Sequence, residues 1–192
     1  MKTILITGGF GNFGTILCHQ LSNKFNVIRT SYTFNNHQTI SGCINETLDI
    51  SNRKMCQSVI SKYKPDIIIN CAALTNVDLC ENNHKKAHLI NVEGVRNLVQ
   101  CLNSKSKIIH ISTDYVFDGN KKTGFIEDDL VNPLGAYGAS KNAGEFALRE
   151  VLKEHIILRT SWVYSSTGKN FVKTILRLGN EREEISVVDD QY

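Results

Sequence analysis

The sequence predicts an α/β fold, a parallel sheet with helices on both faces. Three observations predict it. Short apolar runs alternate with helix-like stretches along the 192 residues. The runs "ILI", "DIIIN" and "KIIHI" are continuous rather than alternating, as expected of strands covered on both sides. The first of them leads straight into four glycines within positions 8–14, and glycine is costly to order without a reason.

In chain order, strands are expected at Thr3–Thr7, Asn26–Tyr32, Asp66–Ala72, Lys107–Ser112 and Ile156–Ser161. Helices are expected at Asn12–Ser22, Asn52–Tyr63, Lys85–Leu102, Tyr137–Val151 and Asn170–Leu178, with Ser51 as N-cap of the second. The connections Thr33–Asn45 and Asp118–Ala136 are long for a compact domain, which makes them candidates for function. No repeat or low-complexity tract interrupts this pattern, and 192 residues fit one domain.

Composition removes several function classes. Hydrophobic residues at 41% and charged residues at 21% are ordinary globular values. The net charge of +3 is small and the basic residues are spread along the chain, so neither nucleic acid nor a membrane surface is an expected partner. Six cysteines (Cys18, Cys43, Cys56, Cys71, Cys80, Cys101) show no CxxC or zinc-like spacing and no metal site is expected; they read as reduced thiols of a cytoplasmic protein. The N-terminal apolar run is too short for a signal peptide and reads as a strand, and no segment approaches the length of a membrane span.

Gly8, Gly11 and Gly14 form a GxxGxxG series between a strand and a helix. Gly8 suits the tight turn, Gly11 lets backbone N–H groups approach a pyrophosphate, and Gly14 lets the helix pack closely on the sheet. The helix N-terminus adds partial positive charge. A Rossmann-like, doubly wound dinucleotide-binding fold follows. An NAD site usually sets a carboxylate near the end of the second strand. Here no Asp or Glu occurs between Thr15 and Asn45, and "NVIRTSY" places Arg29 and Ser31 on one face instead. A guanidinium and a hydroxyl suit a 2′-phosphate, which favours NADP(H) and leaves NAD(H) open; the competing reading of Arg29 is a solvated strand end.

The candidate chemistry lies in "AYGASKNAGE". Tyr137 and Lys141, four apart, project from one helical face. Lys141 can hold a ribose and make the Tyr137 phenolate more accessible, so that Tyr137 serves as general acid toward a ketone. Taken alone, a Tyr and a Lys at this spacing are common on surface helices. "HISTDYVFDG" adds Thr113 and Asp114 at the carboxyl end of a parallel strand, where open α/β sheets bind ligands. Thr113 can hydrogen-bond a substrate oxygen and Asp114 a sugar hydroxyl; a helix cap or Asx turn is the competing reading.

Taken together, "TGGFGNFG" (7–14), "LDIS" (48–51), "PDIIINCAALTNVDLCE" (65–81), "STDYVFDG" (112–119), "NPLGAYGASKNAGE" (132–145), "RTSWVY" (159–164), "NFVKTILRL" (170–178) and "ISVVDDQY" (185–192) carry a resemblance. The sequence resembles the dTDP-4-dehydrorhamnose reductase family of the extended short-chain dehydrogenase/reductase superfamily. The resemblance implies pyrophosphate and adenosine on Gly11, Asn12 and Phe13, with Asp49 and Ile50 against the adenine. Ala72, Ala73 and Thr75 would line the cofactor cleft. Thr113, Tyr137 and Lys141 would take the catalytic places beside Asp114, and Trp162 and Asn170 would touch the nucleotide-sugar. Read from residues alone, a sole tryptophan belongs in the core.

The implied reaction is NADPH-dependent reduction of a nucleotide-linked 4-keto-6-deoxy sugar. Residues 1–192 are expected to form one NAD(P)-binding domain, with the beginning of a substrate-binding region near 162–192. The resemblance further implies continuation through a Gly-x-Pro-Thr segment beyond "VVDDQY", so a chain ending there is expected to expose apolar surface. It also implies a homodimer face on the helices around 85–102 and 137–151. Two other readings stay open: an NADP-binding regulatory subunit similar to the methionine adenosyltransferase β subunit, and a catalytically silent homologue.

Overall fold

The structure, a computed structural model, describes residues 1–33, 39–166, 168 and 170–187. Its elements run β1 (Thr3–Thr7), α1 (Asn12–Leu21), β2 (Asn26–Ser31), β3 (Cys43–Thr47), α2 (Arg53–Tyr63), β4 (Ile67–Asn70), α3 (Val77–Asn82) and α4 (His84–His88). A π-helical turn (Leu89–Glu93) then leads to α5 (Gly94–Gln100), β5 (Lys107–Thr113), α6 (Ala136–Val151), β6 (His155–Thr160) and α7 (Phe171–Glu181). All ladders are parallel and the order is β3-β2-β1-β4-β5-β6, the doubly wound arrangement expected. The order reverses between β1 and β4, so the crevice for a ligand opens at their carboxyl ends.

Strand residues alternate between two cores. Leu5, Ile28, Ile68 and Ile108 point into one, where α2, α5 and α6 cover the sheet with Val59, Ile60, Val95, Leu98 and Leu148. Ile4, Ile6, Val27 and Ile69 point into the other, under Cys18 of α1. Fully burying such a side chain contributes about 1.5–3 kcal/mol, which explains the continuous apolar runs.

Three differences from the expected elements have local causes. β3 begins inside the stretch read as a loop, because this edge strand is half-exposed and mixes Ile44 with Asn45 and Glu46; residues 34–38 of that stretch lie outside the described residues. The second helix is capped by Asn52, whose side chain accepts from Met55 N, and not by Ser51, whose hydroxyl is turned to Asp49. The long helix expected at Lys85–Leu102 contains the π turn and is preceded by the unexpected α3, itself capped by Asn76.

The far edge of the sheet is less covered. Ile156 and Leu158 of β6 stand exposed on the face that carries α1, beyond the strands α1 covers, and α7 buries none of its residues, leaving Phe171, Val172 and Leu176 exposed. Among the described residues no helix is long and apolar enough to cross a membrane.

Candidate active site

The glycine elbow follows from sterics. Gly8 has φ +61°, and a Cβ there would stand 2.8 Å from the backbone N of Ala72 beyond β4. At Gly14 a Cβ would collide with the Gly8 carbonyl, so α1 can start this close to β1 only with glycine at that place. Gly11 is the N-cap of α1 and no acidic residue stands in the first turn. A helix start leaves backbone N–H groups without intrahelical partners; here that turn holds Phe13 and Gly14, beside Asn12. An anionic diphosphate fits such a cradle.

Arg29 is not the solvated strand end of the competing reading. Its side chain is only 4% exposed and lies beneath the elbow: Nε donates to Gly9 O at 2.9 Å and Nη2 to Thr15 Oγ1 at 3.3 Å. The guanidinium also stacks 3.6 Å from the centre of the Phe10 ring. In this arrangement Arg29 braces the loop from below. Ser31, at the end of β2, accepts from Thr33 N.

Asp49 accepts from the N–H and hydroxyl of Ser51, and the Ile50 side chain is buried against Gly94 in the core, so only the backbone of Ile50 can border an adenine. Ala72, Ala73 and Thr75 leave β4 next to Gly8, with Ala72 N directed at Asn70 Oδ1 and Thr7 Oγ1. Leu74, between Ala73 and Thr75, is pinned by buried Asn91 of the π turn: Asn91 Oδ1 accepts from Leu74 N while Nδ2 donates to Leu74 O and to Ser140 Oγ of α6. A π turn at a functional cleft is a recurrent use of that geometry.

Across the crevice, α6 runs antiparallel to β5 and lays Tyr137 and Lys141 along its carboxyl end. Lys141 is buried and donates to Ile111 O at 2.7 Å. Burial lowers its pKa to about 8, against the opposing pull of Glu145. Burial raises the Tyr137 phenol, with a hydrogen bond between it and Thr113 acting in the other direction and the Asp114 charge adding to the rise. Thr113 sits at the end of β5, donating to Asp114 Oδ1 at 3.0 Å and accepting from Tyr115 N at 3.3 Å. It therefore caps the turn Asp114–Val116 as well as facing Tyr137. The Tyr115 ring meets the Tyr137 ring edge-on, 5.6 Å between centres. Thr113, Asp114, Tyr137 and Lys141 are thus brought together, as expected.

Sequence reasoning missed the supports. Gly135 caps α6 without a side chain, and Glu81 of α3 supplies the acceptor, bonding Ala136 N at 2.5 Å one residue before Tyr137. A buried polar row crosses the sheet below: Thr7 Oγ1 donates to Asn70 Oδ1 at 2.5 Å, and Asn70 Nδ2 donates to His110 Nδ1 at 2.9 Å. His110 Nε2 is buried without a partner, and burial together with the Lys141 charge holds the imidazole well below its usual pKa. Only "INCAA" and "IHIS", polar residues at the ends of apolar runs, hint at the row.

Trp162 corrects the core reading. It is 56% exposed, follows β6, stands edge-on to Phe171 at 4.9 Å, and holds φ +49°. A bulky residue in that region stores strain, which is usually kept where function needs it. Asn170 is occupied locally, accepting from Lys173 N as the cap of α7 and donating to Ser165 O at 2.7 Å. Ser165 in turn donates to Asn12 Oδ1 at 3.4 Å, which brings the segment after β6 against the glycine elbow.

Sheet order, glycine elbow and Tyr-x-x-x-Lys helix define a Rossmann-type α/β protein of the short-chain dehydrogenase/reductase pattern. The chain belongs to the family described as RmlD substrate binding domain, whose model matches residues 1–192. It is 40% identical over 194 aligned residues to a dTDP-4-dehydrorhamnose reductase of Aggregatibacter actinomycetemcomitans, covering 100% of this chain and 62% of that protein. The dTDP-4-dehydrorhamnose reductase of Escherichia coli (strain K12) is 41% identical, over 98% of this chain and 60% of its own length. Among solved structures, a dTDP-4-dehydrorhamnose reductase from Bacillus anthracis in complex with NADP superposes with a TM-score of 0.85 at 39% identity, covering 97% of this chain and 63% of that one. The chain therefore spans about three fifths of the length of these relatives.

Proposed function

We propose that this chain binds NADP(H) at the glycine elbow and performs the reduction of a nucleotide-linked 4-keto-6-deoxy sugar, as a dTDP-4-dehydrorhamnose reductase does. The observation that carries the reading is the convergence of Thr113, Tyr137 and Lys141 at the carboxyl end of β5, facing the β1–β4 crevice. Two features support the cofactor: glycines that let α1 start against the turn after β1, and a relative of 39% identity solved with NADP.

Gly11, Asn12, Phe13 and Gly14 would hold the diphosphate, Asp49 and the Ile50 backbone the adenine edge, and Ala72, Ala73 and Thr75 the cleft wall. When bound, NADPH supplies the hydride. Tyr137, kept protonated by its burial, gives its phenolic proton to the oxygen of the 4-keto carbon, and Lys141 stabilises the phenolate left behind. Thr113 orients that oxygen and Asp114 accepts from a neighbouring sugar hydroxyl. Exposed Trp162 borders the nucleotide-sugar. A second copy would meet the helices around 85–102 and 137–151, where Leu89, Phe146 and Val151 stand exposed.

The test is NADPH oxidation by the chain with a dTDP-4-keto-6-deoxy sugar, run beside a fluorescence titration with NADPH that follows Trp162. Binding with turnover supports the reductase. Binding without turnover points to a regulatory or silent homologue, and absence of both removes the reading.

A further inference from the structure

Glu145 has no part in the chemistry above, yet among the described residues it is the one carboxylate wholly removed from solvent. A buried carboxylate is costly unless paired and hydrogen-bonded. This one is over-supplied. Ser112 Oγ donates to Oε1 at 2.5 Å; Arg159 of β6 donates through Nε at 3.1 Å and Nη2 at 2.7 Å; Arg149, one turn along α6, donates at 3.1 Å. We propose, resting on the reading of Tyr137 and Lys141 given above, that Glu145 is the positioning residue of that pair: its carboxylate bolts α6 to the ends of β5 and β6 and is the counter-charge that keeps the Lys141 ammonium in place.

Tyr137, Lys141 and Glu145 lie one helical turn apart on one face of α6. Their partners are three successive residues of β5: Thr113 for the phenol, the Ile111 carbonyl for the ammonium and the Ser112 hydroxyl for the carboxylate. A helix bound at only one of these sites could rotate or slide; bound at Ser112 and Arg159 together, it has one register on two strands. The Arg159 fork is bidentate and therefore directional, and its guanidinium is itself held over the Phe117 ring at 4.9 Å.

Charge makes the same point. The titratable groups around Lys141 are Glu145 and Tyr137 on its own helix, His110 on β5 and Cys71 after β4. Burial keeps His110 neutral and pushes the Cys71 thiol up to about 12, and Tyr137 is a neutral phenol. At neutral pH Glu145 is the negative one. Burial alone would raise its own pKa, but the hydrogen bonds from Arg159 and Ser112 and the charges of Arg159 and Arg149 more than offset that, so it stays ionised.

The test is a heteronuclear NMR titration of the Lys141 side chain, which needs no turnover, in the wild-type chain, Glu145→Gln and Arg149→Met. Glu145→Gln keeps the shape and removes the charge, and its Lys141 midpoint should fall by about one pH unit below the wild-type value. Arg149→Met unmasks the carboxylate and should move the midpoint upward. In active protein the alkaline limb of kcat should move with each. An unchanged midpoint in Glu145→Gln, or shifts of the same sign in both variants, overturns the proposal. Should Glu145→Gln fail to fold, Arg149→Met alone decides: an upward shift supports the counter-charge and no shift removes it. A wild-type chain that binds no NADPH would remove the reductase reading while leaving the Lys141 titration to judge Glu145.

Discussion

The two walls of the crevice are built by opposite means. The β1–α1 wall is made of backbone: glycines at 8, 11 and 14, a bare helix start, and Arg29 packed beneath. The β5–α6 wall is made of side chains: Thr113, Tyr137 and Lys141 in front, with Glu145, Arg159, Asn91 and Glu81 fixing them from behind. A pyrophosphate needs close approach and many N–H donors, which only an uncluttered main chain gives. A proton transfer needs one hydroxyl and one charge at set places, which long side chains reach only when buried groups hold them. Substitutions on the first wall should therefore abolish binding, and those on the second should leave binding while altering chemistry.

The largest effect should come from Gly14→Val. The added carbons meet the Gly8 carbonyl, so NADPH binding should be lost, with stability falling by about 1–3 kcal/mol; calorimetric titration and thermal melting read both. Retained affinity would mean that the elbow is not the cradle.

Next in size is Arg29→Met. With the brace gone, NADPH and NADH should weaken together, because the guanidinium holds Gly9 and Phe10 in place. Paired titrations with the two cofactors check this, and a loss confined to NADPH would restore direct contact with the 2′-phosphate.

A pH effect of intermediate size belongs to His110. Its folded pKa lies below the usual 6.5, so the unfolded chain binds the extra proton. Stability should therefore rise with pH up to about 6.5 and be lost as the pH falls below it, with a slope of up to about 1.4 kcal/mol per unit. Denaturant melts of His110→Asn, which keeps an acceptor for Asn70, should show that slope flattened between pH 5 and 6.5.

The smallest effect is expected from Glu81→Ala. Loss of the acceptor at Ala136 N should cost about 1 kcal/mol, as for other helix caps, and lower kcat more than NADPH affinity because Tyr137 is the next residue. Melting curves and steady-state kinetics separate the two, and an affinity loss equal to the kcat loss would break the distinction between the walls.

That asymmetry also governs what the sequence makes legible. The glycine wall can be read because its requirement is the absence of side chains, and GxxGxxG after an apolar run states it directly. Tyr137 and Lys141 can be read because four-residue spacing fixes a common helical face. Their supports cannot. Glu145 with Arg149 at i+4 looks like a solvated pair on an amphipathic helix, and nothing local says that β6 brings Arg159 to it. Arg29 shows the converse: its place on β2 suits a phosphate, and nothing local says that its guanidinium also packs under Phe10 and Gly9. Read from residues alone, Trp162 belongs in the core, whereas the structure leaves it exposed after β6 at a positive φ.

The most direct measurement of the central claim compares wild type and Tyr137→Phe in the same samples, by NADPH titration and by hydride transfer to a dTDP-4-keto-6-deoxy sugar. Removing the phenolic hydroxyl should lower reduction by about 10²–10⁴-fold while NADPH affinity stays within a few-fold. Affinity and reduction falling together, or reduction persisting in the variant, would contradict Tyr137 as the proton donor.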